Sequence, residues 1–170
     1  MLQPEEVVRR LRESGSLWDV APGVTGLSGR VAALEREIEQ ALADIARAET
    51  PNEWRSPAGV SFETLERAKY FSSFPQWLSM ASHLSGDESI LQSIASSESP
   101  GRAAPSCADA PAIALPPAVC YNTYATLADS TIDEALLMTA QGTCWRHEGE
   151  RHAALERGWA FTMREIVCVG

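Results

Sequence analysis

Arg146, Glu148, Arg157 and Glu165 are the residues of this chain whose types and spacing could do chemistry. They stand in two runs parted by a short polar loop: Thr143-Cys144-Trp145-Arg146-His147-Glu148-Gly149 and Glu156-Arg157-Gly158-Trp159-Ala160-Phe161-Thr162-Met163-Arg164-Glu165-Ile166-Val167. Both runs alternate along the chain as the strands of an antiparallel hairpin do. Cys144, Arg146 and Glu148 then share a face of the first strand. Trp159, Phe161, Met163, Glu165 and Val167 share a face of the second. Charges set among apolar side chains are costly unless they meet a ligand, so the hairpin reads as the floor of a binding site. An arginine fork grips phosphate oxygens in fixed geometry. Arg146 and Glu148 read equally well as a cross-strand ion pair on a solvated face. Spacing alone does not separate the two.

The elements that must position these residues are legible in part. Residues 5–13 read as a short helix ended by Ser14-Gly15, and 17–30, with Pro22, Gly23, Gly26 and Gly29, as a loop. Residues 28–48 form the clearest helix. Leu27, Val31, Leu34, Ile38, Leu42 and Ile45 make one apolar stripe, expected to pack on the domain or on a partner helix. Ser61 caps a helix over 62–69. Phe71, Phe74, Trp77, Leu78 and Met80 are core aromatics and aliphatics. A strand is expected near 77–84 and a helix over 86–94. Residues 95–111, rich in Ser, Pro, Ala and Gly, read as a flexible loop. Strands follow at 112–120, 136–148 and 158–169. His83 reads as structural or exposed, and Cys107 has no argued role.

A resemblance runs through three of these segments. Arg146-x-Glu148, a loop, then Glu156-Arg157-x-x-x-Phe161-x-x-Arg164-Glu165 resembles motif 2 of class II aminoacyl-tRNA synthetases. Cys144-Trp145-Arg146-His147-Glu148-Gly149 with Phe161-Thr162-Met163-Arg164-Glu165-Ile166-Val167 is similar to amino acid:carrier-protein ligases. These are relatives of the zinc-dependent archaeal-type seryl-tRNA synthetases. Ser56-Pro57 through Glu63-Thr64-Leu65-Glu66-Arg67-Ala68-Lys69-Tyr70 and Ser73-Phe74-Pro75 resembles the entry to the catalytic sheet. Leu115-Pro116-Pro117-Ala118-Val119-Cys120 resembles the strand carrying the first zinc cysteine. Residues 56–170 are covered.

The resemblance implies ATP-dependent activation of a small amino acid, glycine or alanine, and its transfer to a phosphopantetheine carrier protein. Arg146 would be the catalytic α-phosphate arginine. Glu148 would orient the adenine or a nearby group, and Arg157 would meet the terminal phosphates. Magnesium would accompany ATP. Zinc would be held by Cys120 and Glu165, since zinc accepts mixed sulfur and oxygen donors and keeps an exchangeable position. Read without the resemblance, Cys120 is a small buried hydrophobe. Cys168 faces away from Glu165, and Cys144 is the better understudy for the family's third zinc ligand. That ligand and motif 3 fall beyond Gly170. The chain therefore reads as an N-terminal fragment inactive alone, as half of a site completed by another chain, or as a degenerate relative. The competing functional reading is a non-catalytic synthetase paralogue, an interaction module or a decaying gene product.

Composition bounds the rest. At 170 residues one domain with an appendage is expected. The division is an N-terminal helical segment, 1–50, and a partial catalytic core, 51–170. The start lacks the pattern of a signal peptide, and no apolar run approaches membrane length. A cytoplasmic protein is expected. Four cysteines at 107, 120, 144 and 168 signal neither a disulfide scaffold nor a closed zinc ribbon. A net charge of −9 argues against a broad nucleic-acid surface, and no tRNA partner is expected. Arg151, Arg157 and Arg164 are the clustered basic residues that a carrier protein could meet. A homodimer is compatible with the resemblance. The fold class expected is α+β: N-terminal helices followed by a partial antiparallel sheet of the class II synthetase core.

Overall fold

The computed structural model describes residues 3–50, 52–149 and 152–170. Arg151, one of the three clustered basic residues, lies outside them. Helix α1 (Pro4–Glu13) leads into a hairpin of β1 (Leu17–Ala21) and β2 (Val24–Leu27). Residues 17–30 were expected as a loop because of their glycines. The glycines serve the hairpin instead. Gly23 takes a φ of +75° at the turn, and a Cβ on Gly26 would stand 2.2 Å from the Trp18 indole that crosses it.

Helix α2 (Gly29–Glu49) follows. It turns buried Ala43 and Ala46 inward. Most of its apolar stripe is not covered by the described residues: Leu34, Ile38, Leu42 and Ile45 are all exposed. The expectation that the stripe packs on the domain is corrected. Small alanines let the helix approach the sheet closely, which brings Glu39 within reach of Arg164.

The central sheet has the order β3-β6-β7, with β3 (Glu53–Arg55) parallel to β6 (Leu136–Trp145) and β6 antiparallel to β7 (Ala160–Val169). The sheet is thus mixed through a short strand that the sequence did not announce. The register pairs Ala140 with Glu165 and Cys144 with Phe161. Met138, Ala140, Gly142 and Cys144 therefore share a face with Val167, Glu165, Met163 and Phe161. The opposite face carries Thr139 and Arg164 toward α2. Helix α3 (Phe62–Arg67) is capped by Ser61, whose hydroxyl accepts from the Thr64 N–H. A second small sheet pairs β4 (Ser79–Ala81) with β5 (Ile113–Leu115). Helix α4 (Glu88–Ala95) is capped by Asp87. Residues 95–111, expected as a loop, hold α5 (Pro100–Ala103) and a 3₁₀ turn at Ala104–Cys107, then pair back to residues 83–85.

The strand expected at 112–120 is the three-residue β5. Pro116 and Pro117 end its hydrogen bonding, and Cys120 opens helix α6 (Cys120–Thr126) instead of closing a strand. Two apolar clusters result. Val60, Leu65, Tyr70 and Ala114 form one, joined by Phe62, Leu78 and Tyr121. Val119, Ala140 and Cys144 form the other, against Trp54, Phe161 and Met163.

Candidate functional site

Arg146 and Glu165 lie on one face of adjacent antiparallel strands. Pairing continues one step past β6, where the Arg146 N–H donates to the Trp159 carbonyl. Arg146 therefore stands opposite Trp159, further along the sheet than Glu165. Residues 116–120 bridge the two. The Trp145 N–H donates to Pro116 O, and Arg146 Nε donates to Pro117 O at 2.8 Å. At the other end the Cys120 N–H donates to Glu165 Oε2 at 3.0 Å. Gly142 leaves room for this crossing, since a Cβ there would meet Ser56 at 3.0 Å and Val119 at 3.3 Å.

Arg146 is held by one nitrogen only. Its guanidinium carbon stands 5.6 Å from the Phe161 ring centre, in cation–π range. Among the described residues it makes no ion pair, with Glu148 or with any other carboxylate. The cross-strand pair that the sequence allowed does not form. Phe161 was read only as an alternating apolar residue. Its place beneath an arginine, presenting a flat ring, is a feature that the register reveals.

The Glu165 carboxylate meets Cys120 through the backbone N–H of that residue. Burial pushes the Cys120 thiol up to about 11, and the Glu165 charge adds to the shift. Cys144 is pushed up to about 12, first by burial and then by Glu165. It fills the core beside Val119 and Ala140, its Sγ 3.9 Å from Met163 Sδ. Among the described residues no three His, Cys, Asp or Glu side chains converge on a point. Zinc sites take three or four protein donors. The residues described supply two, so by themselves they do not make a zinc site. Cys168 pairs with Leu137 on the opposite face.

Glu148 and Arg157 sit apart from this cluster. The strand stops at Trp145, so Glu148 falls in the connecting loop, where Arg157 Nη1 donates to its carboxylate. Both line a cavity of about 660 Å³ against α2. A second cavity, about 740 Å³, lies between α3 and α6 and opens on Cys120, Tyr121 and Tyr124, but not on Arg146 or Glu165. Arg164 is not free to meet a partner. Its side chain is 9% exposed and binds Glu39 at 2.6 Å and Glu53 at 3.1 Å. Of the basic patch expected of Arg157 and Arg164, Arg164 is buried against Glu39 and Glu53, while Arg157, half exposed, pairs with Glu148. His83 is exposed, 3.5 Å from Asp109.

Comparisons with known proteins meet this geometry. The seryl-tRNA synthetase of M. kandleri, solved with A. aeolicus tRNASec, superposes with a TM-score of 0.80 at 20% identity, over 95% of this chain and 33% of that one. The prolyl-tRNA synthetase of Giardia lamblia with prolyl-adenylate gives 0.68 at 14% identity, over 95% and 30%. The fold is α+β and is shared with part of the class II aminoacyl-tRNA synthetases. The sequence itself is similar to two amino acid–acyl-carrier-protein ligases. It is 33% identical to ligase 2 of Bradyrhizobium diazoefficiens over 87% of this chain and 45% of that protein. It is 30% identical to ligase 1 of the same organism, over 87% and 46%. The chain thus spans about half the length of the curated relatives it matches. No family profile matches it. Among the described residues no helix is long and apolar enough to cross a membrane.

Proposed function

We propose that this chain forms one side of an ATP-dependent site that activates a small amino acid for a phosphopantetheine carrier protein. One observation carries the reading. Arg146 stands on the Glu165 face of the sheet with its Nε held by Pro117 and no carboxylate of the described residues neutralising it. The likeness to two amino acid–acyl-carrier-protein ligases supports it. In adenylate formation a carboxylate attacks the α-phosphorus of ATP and pyrophosphate leaves. The charge gathering on the phosphoryl oxygens needs preorganised donors. The terminal nitrogens of Arg146 would be such donors, and the Phe161 ring beneath would give a planar base a surface. Arg157 would have to exchange Glu148 for a phosphate before helping. Cys120 and Glu165 would be two donors of the zinc-bound form, which needs a third from elsewhere, and no step here passes through the metal.

Joining this chain to the remaining length of Bradyrhizobium ligase 2 tests the proposal. The chimera is expected to catalyse amino-acid-dependent ATP–pyrophosphate exchange, and Arg146→Ala to reduce it by about 10²–10³. A second reading, the non-catalytic paralogue, draws on the neutralised Arg157 and Arg164. A folded but inactive chimera would favour it.

A further inference from the structure

The cavity of about 740 Å³ between α3 and α6 falls in the usual range of small-molecule sites, about 300–1,000 Å³. It is a groove between two helix faces. Arg67 and Ala68 come from the end of α3. Tyr121, Tyr124, Ala125 and Ala128 recur at three- and four-residue steps along α6 and the turn after it. The alanines keep the groove open, and the phenols give it hydroxyls that donate to and accept from amides. Tyr121 is fixed by Tyr70, which meets it edge-on with 5.8 Å between ring centroids at 87°.

The two ends differ in chemistry. At one end Arg67 donates to Asp129 from both terminal nitrogens, at 3.0 and 2.9 Å. Its Nε–H and the outer N–H groups are left over. The pair is exposed on both sides, so it holds Arg67 weakly. At the other end is Cys120, whose N–H donates to Glu165 Oε2 on the sheet face that carries Arg146. From Cys120 to Ala128 a helix rises roughly 12 Å. The groove therefore leads from an exposed cation to the edge of the proposed adenylate site. Of the described residues that line it, Arg67 is the cation and Glu63 the carboxylate, so most of its length is neutral.

We propose that this groove receives the phosphopantetheine arm of the carrier protein, with the phosphodiester at Arg67, the amides along Tyr121 and Tyr124, and the thiol at the Cys120 end. The inference rests on the part of the proposed function that names a phosphopantetheine carrier, and it adds the route of the arm. Such an arm is anionic at its phosphodiester and from there on narrow, neutral and amide-bearing. A groove with a cation at one mouth, then phenols and small side chains, matches it in that order. A triphosphate does not fit, because it needs several cations around it.

The test titrates the 170-residue chain by calorimetry with 4′-phosphopantetheine and with pantetheine, which lacks the phosphate. The wild-type chain should bind the phosphorylated probe about 10-fold more tightly, the scale of a hydrogen bond to a charged group. Arg67→Ala should erase that preference. Ala125→Trp, which sets an indole in the groove from an exposed helix position, should abolish binding of both probes. Melting is measured in parallel, and both variants should melt close to wild type because both positions are exposed. Titration of Arg146→Ala with AMP tests the adenylate reading separately. If AMP binding needs Arg146 while the phosphopantetheine preference survives Arg67→Ala, the groove assignment falls and the adenylate reading stands. If the preference needs Arg67 and AMP binding does not need Arg146, the groove stands as an arm site and the adenylate reading falls. Equal wild-type affinity for the two probes, no binding at millimolar concentration, or unimpaired binding by a folded Ala125→Trp overturns the proposal.

Discussion

The thiols separate by environment more than by position in the sequence. Cys120 and Cys144 ionise at about 11 and about 12, while Cys168 is exposed. Only thiolates react with alkylating agents. At pH 8 a thiol ionising near 11 has about 100-fold less thiolate than one ionising near 9. Iodoacetamide should therefore label Cys168 first and leave Cys120 and Cys144 nearly untouched, as peptide mapping would reveal. The sign for stability follows. These thiols are protonated in the folded state at a pH where they would ionise unfolded, so they contribute stability below pH 9 that is lost as pH rises toward 11 and 12. Glu165 is the second test at this scale. Its carboxylate accepts the first N–H of α6, so Glu165→Ala should cost about 1 kcal/mol in urea unfolding, as lost helix caps do. Glu165→Gln keeps an acceptor but removes the charge beside Cys120. It should cost less and speed Cys120 labelling. Unchanged labelling in Glu165→Gln would remove Glu165 from the causes of the raised thiol.

At the scale of elements, the motif 2 hairpin was legible because ten-residue strands repeat their alternation often enough to fix faces. The face shared by Phe161, Met163, Glu165 and Val167 is the one observed. Helix α2 was legible as a helix but not in its orientation. Its strongest apolar stripe is left exposed. The side that docks is set by Ala43, Ala46 and the Glu39–Arg164 pair, whose members lie 125 residues apart. No local pattern carries such a contact. Helix α6 was missed for a related reason. Cys120-Tyr121-Asn122-Thr123-Tyr124 is poor in strong helix formers, and the group that satisfies its first N–H comes from β7. The β1–β2 hairpin was hidden by glycines that read as loop. Arg164 binds Glu39 of α2 and Glu53 of β3 at once, so it fastens three elements. Arg164→Ala should lower the melting temperature more than Glu39→Gln or Glu53→Gln alone, because it removes the cation from both contacts at once, leaving Glu53 only its pair with Arg47 and Glu39 without Arg164. Arg164→Ala that melts no earlier than either glutamine variant would mean that α2 is held by its alanine contacts instead.

At the scale of the whole molecule, the charge distribution decides what the chain can do by itself. The net charge is −9, and adenylate formation gathers negative charge on ATP. Phosphoryl transfer sites spread that charge over several cations placed on different sides. Arg146 is available, but Arg164 is committed to Glu39 and Glu53, and Arg157 to Glu148. Cys120 and Glu165 bring negative or neutral donors, not cations. The sequence made Arg146 visible as a candidate, yet it could not show that the neighbouring arginines are neutralised, because their partners come from α2, β3 and the hairpin loop. One cation does not hold a triphosphate in line with a carboxylate. The 170-residue chain alone is therefore expected to show no amino-acid-dependent ATP–pyrophosphate exchange. Its AMP or glycine binding should still depend on Arg146. Exchange by the purified chain, abolished by Arg146→Ala, would mean that the described face is sufficient for catalysis and that Arg157 leaves Glu148 for the phosphates during turnover. Glu148→Gln separates these cases. By freeing Arg157 it should raise ATP affinity if Arg157 can be recruited, and leave it unchanged if the loop keeps that side chain out of reach.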